Sequence, residues 1–140
     1  MREINEITGE IVDAAYGLHT RVGPGLLESV YEMMLARVLE QRGLKVERQK
    51  PISFEFEGIR FEEGFRVDLL VEDRVVVELK SAERLARVHG KQVLTYLRLL
   101  ELPVGLLINF GADSLADGLK RVLNTRAEPV PPLSQTPLTP

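Results

Sequence analysis

The sequence contains no cysteine and no tryptophan, two histidines, and few aromatic residues. Without thiols there are no disulfides and no thiolate metal centres. A zinc site could draw only on two histidines and on carboxylates. No stretch approaches the ~18 apolar residues that a membrane-spanning helix needs. The opening Met1-Arg2-Glu3-Ile4-Asn5-Glu6 lacks the apolar core of a secretory signal. These absences lead to the expectation of a cytoplasmic protein with no membrane segment. A strong excess of one charge sign is also missing. The net charge of −3 over 140 residues does not mark a protein that binds nucleic acid by bulk electrostatics. An acidic metal site would itself lower the net charge, so a nuclease is not excluded. Two basic clusters remain to be explained: Arg37, Arg42, Lys45, Arg48 and Lys50, and then Arg84, Arg87, Lys91 and Arg98. The plain reading of both is solvated helix or loop surface.

What is present suits one globular domain with one core: 44% hydrophobic and 28% charged residues. Ile4, Ile7, Ile11, Ala14, Ala15 and Leu18 recur at helical spacing over 3–20, and Gly23-Pro24-Gly25 breaks the pattern. A second helix is predicted over 26–41, with Gly43 as its C-terminal cap. Short extended runs follow at 45–50, 52–57 and 60–65. Two β-rich runs, 66–71 and 75–80, flank a short polar segment. The spacing predicts a helix over 83–100, a strand buried on both faces at 104–109, and a last short helix over 114–123. Residues 127–140 hold five of the eight prolines and read as a disordered or extended tail beyond a domain of residues 1–126. The order of elements implies an α/β or α+β domain with a mixed β-sheet flanked by helices. The late strand joins through a crossover, parallel to a neighbour.

Chemistry concentrates in the hairpin. If Glu72–Arg74 is a three-residue loop, Val71 faces Val75, Leu69 faces Val77, and Asp68 faces Glu78. Alternation then puts Val67, Leu69, Val71, Val75, Val77 and Leu79 on one face, and Asp68, Glu78 and Lys80 on the other. Opposed carboxylates with Cβ atoms roughly 4.5–5.5 Å apart repel each other. A cation between them would relieve this. Mg²⁺ (or Mn²⁺) takes one or two protein carboxylates together with waters, and the backbone carbonyl of Leu79 could add a ligand. The Lys80 ammonium reaches the same space, where it could position or deprotonate a water or stabilise developing negative charge. The plain alternative is a pair of solvated strand acids beside Arg66 and Lys80.

The run Asp68…Glu78-Leu79-Lys80 resembles the core motif of PD-(D/E)XK nucleases. Upstream, Gly25-Leu26-Leu27-Glu28-Ser29-Val30-Tyr31 resembles the signature of the GxxExxY family, a branch of that superfamily. Downstream, Gln92-Val93-Leu94-Thr95-Tyr96 is similar to the Q-x-x-x-Y element of RecB-like nucleases. Leu107-Ile108-Asn109-Phe110-Gly111 resembles the strand and loop that close such domains. Together the motifs span about residues 4–124. Val67 stands where the name-giving motif has proline.

The resemblance implies a restriction-endonuclease-like fold and a Mg²⁺- or Mn²⁺-dependent hydrolase of phosphodiester bonds, with DNA favoured over RNA. A homodimer is an open possibility. Glu28, Asp68 and Glu78 would be the metal-facing acids, Lys80 the catalytic lysine, and Gln92 and Tyr96 substrate contacts. Glu28 can also be read as a first-turn acid favoured by the helix dipole. Tyr31 reads better as core than as chemistry, and His19 and His89 as structural. The main rival is a catalytically silent module that keeps the nuclease fold and binds nucleic acid or a protein partner.

Overall fold

A computed structural model of the chain describes residues 2–127; the proline-rich segment beyond Ala127 lies outside the described residues. Helix α1 (Ile4–Val22) buries Ile4, Ile7, Ile11, Ala15 and Leu18. Helix α2 (Glu28–Gln41) buries Tyr31, Leu35 and Leu39. Both are amphipathic and cover one face of a sheet. The strands are β1 (Val46–Phe56), β2 (Ile59–Val71), β3 (Val75–Lys80), β4 (Val104–Asn109) and β5 (Leu119–Leu123). Helix α3 (Arg87–Leu100) lies on the opposite face, and a single turn, α4 (Leu115–Gly118), precedes β5.

The five strands lie in sequence order, β1-β2-β3-β4-β5. All pairings are antiparallel except β3 with β4, which run parallel because α3 carries the chain back across the sheet. The expected hairpin is present in its expected register, with Val71 opposite Val75 and Leu69 opposite Val77. The extended runs at 45–50 and 52–57 merge into β1, which continues through Pro51. The ring is tolerated because β1 is an edge strand, where a missing N–H interrupts no second ladder. Likewise 60–65 and 66–71 form one long strand, β2.

Two layers of side chains hold the sheet. Leu69, Val71, Val75, Val77, Leu79, Val104, Leu106 and Ile108 pack under α1 and α2. Val67, Leu70, Val76 and Leu107 pack with Val93 and Leu97 of α3. β4 is buried along its whole length, as its continuous apolar run requires.

Two expectations need correction. Val67 does not share a face with Leu69: the two lie in opposite layers although they are two residues apart. The β1–β2 register runs from Arg48↔Leu69 to Lys50↔Val67 and passes over Gln49 and Asp68. Gln49 has a left-handed backbone, φ 48°, so the regular alternation breaks at this point. The second correction concerns 114–123, where the helix lasts one turn and 119–123 pairs with β4 as a strand. Leu115, Leu119 and Val122 mimic helical spacing. Gly118 sits so close to β4 that a Cβ there would lie 2.5 Å from the Asn109 carbonyl, so the chain turns flat onto the sheet edge.

Candidate active site

Where regular β2–β3 pairing ends at Leu69/Val77, side chains take over the backbone's hydrogen bonds. The Asp68 N–H donates to Glu78 Oε1 at 3.0 Å, and the Leu79 N–H donates to Asp68 Oδ2 at 2.9 Å. Each acid is thereby tied to the other's strand. Glu78 is 5% exposed and Asp68 is half-buried. Burial first, and then the neighbouring Asp68 carboxylate, push the Glu78 carboxyl up to about 8, while the Lys80 charge pulls it the other way. Lys80, the last residue of β3, therefore belongs electrostatically to the same cluster.

Helix α3 roofs the pair. The Tyr96 phenol is raised above its ordinary value by burial and then by the Glu78 and Asp68 charges; a hydrogen bond with the Gln92 side chain opposes the rise. Gln92 and Tyr96 stand one turn apart on α3 and are joined by that side-chain hydrogen bond. Tyr96 also stacks on Phe65 of β2, with ring centroids 4.3 Å apart. His89 does not join them as a ligand: its Nδ1 accepts the Ala86 N–H at 3.0 Å and helps to start the helix. His19 is likewise structural, with Nε2 2.8 Å from the Ala112 carbonyl oxygen.

Glu28 is a different case. It is exposed, opens α2, and lines a cavity of about 690 Å³ with Ser29, Ser81, Ala82, Glu83 and Gly111; that lining includes neither Asp68 nor Glu78. The three-acid cluster expected of Glu28, Asp68 and Glu78 is not assembled. Among the described residues, no group of three or more histidine, aspartate or glutamate side chains is arranged to hold an ion. The acid of α2 linked to the pair is Glu32, which is 4% exposed. Its Oε1 accepts from Gln49 Nε2 at 2.5 Å, and the same nitrogen donates to Asp68 Oδ1 at 3.2 Å. Its Oε2 accepts from Arg48. Neither Gln49 nor Glu32 was singled out from sequence. A signal existed for Glu32, a charged residue on the apolar stripe of α2 beside Leu35 and Leu39.

The remaining motif residues build the frame. Tyr31 is fully buried and stacks on Phe110 at 4.5 Å; its hydroxyl donates to the Gly23 carbonyl at 2.6 Å and accepts the Leu26 N–H at 3.2 Å. It pins the loop between α1 and α2. Asn109 binds Ala82 N–H and carbonyl and the Gly111 N–H, which fixes the chain just beyond Lys80. Gly111 approaches that segment so closely that a Cβ would lie 2.3 Å from the Ala82 carbonyl.

The hard oxygens of Asp68 and Glu78, beside an ammonium, fit a divalent cation such as Mg²⁺, which needs only one or two protein carboxylates. The upward push on Glu78 comes from burial first and from the Asp68 charge second. A mixed sheet that presents paired strand acids and a lysine at its rim, under a helix with a glutamine and a tyrosine, defines a nuclease-like α/β domain. A model of the PD-(D/E)XK nuclease superfamily matches residues 5–122, and the chain belongs to that superfamily. No curated protein matches it. Among the described residues, no helix is long and apolar enough to cross a membrane.

Proposed function

We propose that this protein is a metal-dependent nuclease of the GxxExxY branch, acting in the cytoplasm on DNA in preference to RNA. The observation that carries the reading is the reciprocally bonded Asp68–Glu78 pair, whose charges act on Tyr96 and which the Lys80 charge acts on in turn. Asp68, Glu78 and the Leu79 carbonyl would hold Mg²⁺ or Mn²⁺, which when bound supplies Lewis acidity and a water of lowered pKa. Lys80 holds or deprotonates the attacking water, or donates hydrogen bonds to the developing negative charge on phosphate oxygens. Gln92 and Tyr96 orient the substrate strand.

The basic residues of the second cluster support a polyanionic substrate. Arg84, Arg87, Lys91 and Arg98 are exposed, and among the described residues no ion pair engages them. Arg87, Lys91 and Arg98 recur along one flank of the helix that carries Gln92 and Tyr96. The first cluster fits the plain reading better, because Arg42, Lys45, Arg48 and Lys50 are paired with acids.

Purified protein with Mg²⁺ or Mn²⁺ should cut plasmid or single-stranded DNA, and Lys80→Ala should abolish this while remaining folded. Equal cleavage by wild type and variant would sink the enzyme. A second reading, a silent module, draws on the unassembled three-acid cluster. Mn²⁺ binding that is lost in Asp68→Asn, without cleavage of DNA or RNA, would favour it.

A further inference from the structure

The Gln49 carboxamide spans two carboxylates from different elements. One N–H goes to Glu32 Oε1 of α2 and the other to Asp68 Oδ1 of β2, at 2.5 and 3.2 Å. Both donors of the amide are used. Asp68 is thereby gripped from two sides, by Gln49 at Oδ1 and by the Leu79 N–H at Oδ2. Gln49 reaches this position through a left-handed backbone, φ 48°, inside an edge strand, a conformation unusual for a residue with a side chain. Strain of this kind persists where surrounding contacts over-determine it, and it clusters at functional sites. The anchor is firm. Glu32 is 4% exposed and its second oxygen is held by Arg48 Nε and Nη2, each at 3.2 Å.

We propose that Gln49, anchored by Glu32 and Arg48, is a positioning residue that fixes the Asp68 carboxylate for cation binding. The proposal rests on the nuclease reading of Asp68 and adds to it a supporting shell drawn from α2 and β1. Glu32 acts through the amide and does not itself touch the cation. An outer hydrogen bond of this kind orients a ligand, and its loss costs about 10- to 100-fold in metal affinity.

The test is calorimetric titration of the full chain with Mn²⁺, alongside thermal melts and the metal dependence of DNA cleavage. Gln49→Ala should bind Mn²⁺ about tenfold more weakly, and raising the metal concentration should restore its cleavage rate with the substrate KM unchanged. Glu32→Ala should lose a similar factor, and the double variant no more than either single one. Glu32→Gln keeps an acceptor for the amide and should retain nearly wild-type affinity. Should Gln49→Ala fail to fold, Gln49→Gly suits the left-handed backbone and carries the same expectation. Wild-type affinity in both Gln49 variants would overturn the proposal, and so would a loss in Glu32→Gln equal to that in Glu32→Ala. If wild type neither binds Mn²⁺ nor cuts DNA, the nuclease reading itself fails, a result distinct from these.

Discussion

The main-chain N–H of Asp68 donates to the Glu78 carboxylate, and the N–H of Leu79 donates back to the Asp68 carboxylate, so two acids are locked face to face at the end of a hairpin. Like charges held this way are costly in a largely buried site. The protein accepts that cost at the site proposed above for the cation.

The first consequence concerns pH. The Glu78 carboxyl titrates near 8 in the fold against an ordinary value of 4.5. Between those values the folded chain holds a proton that the unfolded chain has released. Stability attributable to this group therefore falls as pH rises through the window, and the loss levels off above it. The effect is of the order of a few kcal/mol. Glu78→Gln should accordingly melt several degrees above metal-free wild type at pH 8 and close to it at pH 5. Mg²⁺ should raise the wild-type melting temperature more at pH 8 than at pH 5. A gap between variant and wild type that does not change with pH would refute this account.

The hairpin was legible because two signals agree: β-branched runs and a polar loop of fixed length, which together set Val71 opposite Val75 and Leu69 opposite Val77. Both central helices and the buried β4 were legible for similar reasons. The failures have a common origin in tertiary contacts that local pattern does not encode. Nothing in Lys45–Lys50 announces that Gln49 adopts a left-handed backbone, so the reversal that sends Val67 and Leu69 to opposite layers was invisible. Strand β5 forms because β4 offers an unpaired edge, and this outweighs the helical spacing of Leu115, Leu119 and Val122. Glu28 was carried over by motif alone, whereas the acid that reaches the pair through Gln49 is one helical turn further on, at Glu32.

Lys80 contributes a charge that favours the ionised form of Glu78 without being a ligand. Lys80→Ala should reduce the cleavage rate by about 10²- to 10⁴-fold, the range of a lost general acid–base group. Mn²⁺ affinity should hold or rise slightly, because a competing positive charge has gone. Comparison of single-turnover cleavage with calorimetric Mn²⁺ binding tests this. A parallel loss of binding would show that Lys80 maintains the site and does not serve the reaction.

Tyr31 has a structural task. Tyr31→Phe keeps the stack on Phe110 but removes the hydroxyl that joins the Gly23 carbonyl to the Leu26 N–H. The expected loss is about 1–3 kcal/mol in denaturant unfolding, with Mn²⁺ affinity unchanged, since the tyrosine touches neither Asp68 nor Glu78. A large fall in affinity at unchanged stability would instead give Tyr31 a role in the site.

Asn109 and Gly111 hold the segment that follows the lysine. Gly111→Ala would drive a methyl group into the Ala82 backbone, where neither side can yield, and should leave little folded protein at 37 °C. Asn109→Ala removes three bonds to Ala82 and Gly111 and should cost about 2–4 kcal/mol by the loss of partners for buried backbone groups. Circular-dichroism melts of both variants provide the check. Wild-type stability in Gly111→Ala would mean that the chain beyond β3 moves away more freely than these contacts allow.

Glu28 and Glu78 can be set against each other directly. Glu78 is buried beside Asp68, while Glu28 is exposed in a cavity lined by other residues. Glu78→Gln should therefore weaken Mn²⁺ binding by about a hundredfold or more, beyond the loss of any supporting hydrogen bond. Glu28→Gln should leave affinity within about threefold of wild type, as expected for an exposed charge screened by water and salt. If Glu28→Gln loses as much as Glu78→Gln, α2 must swing its first turn toward the acids when the ion binds, and Glu28 would be a ligand in the loaded state.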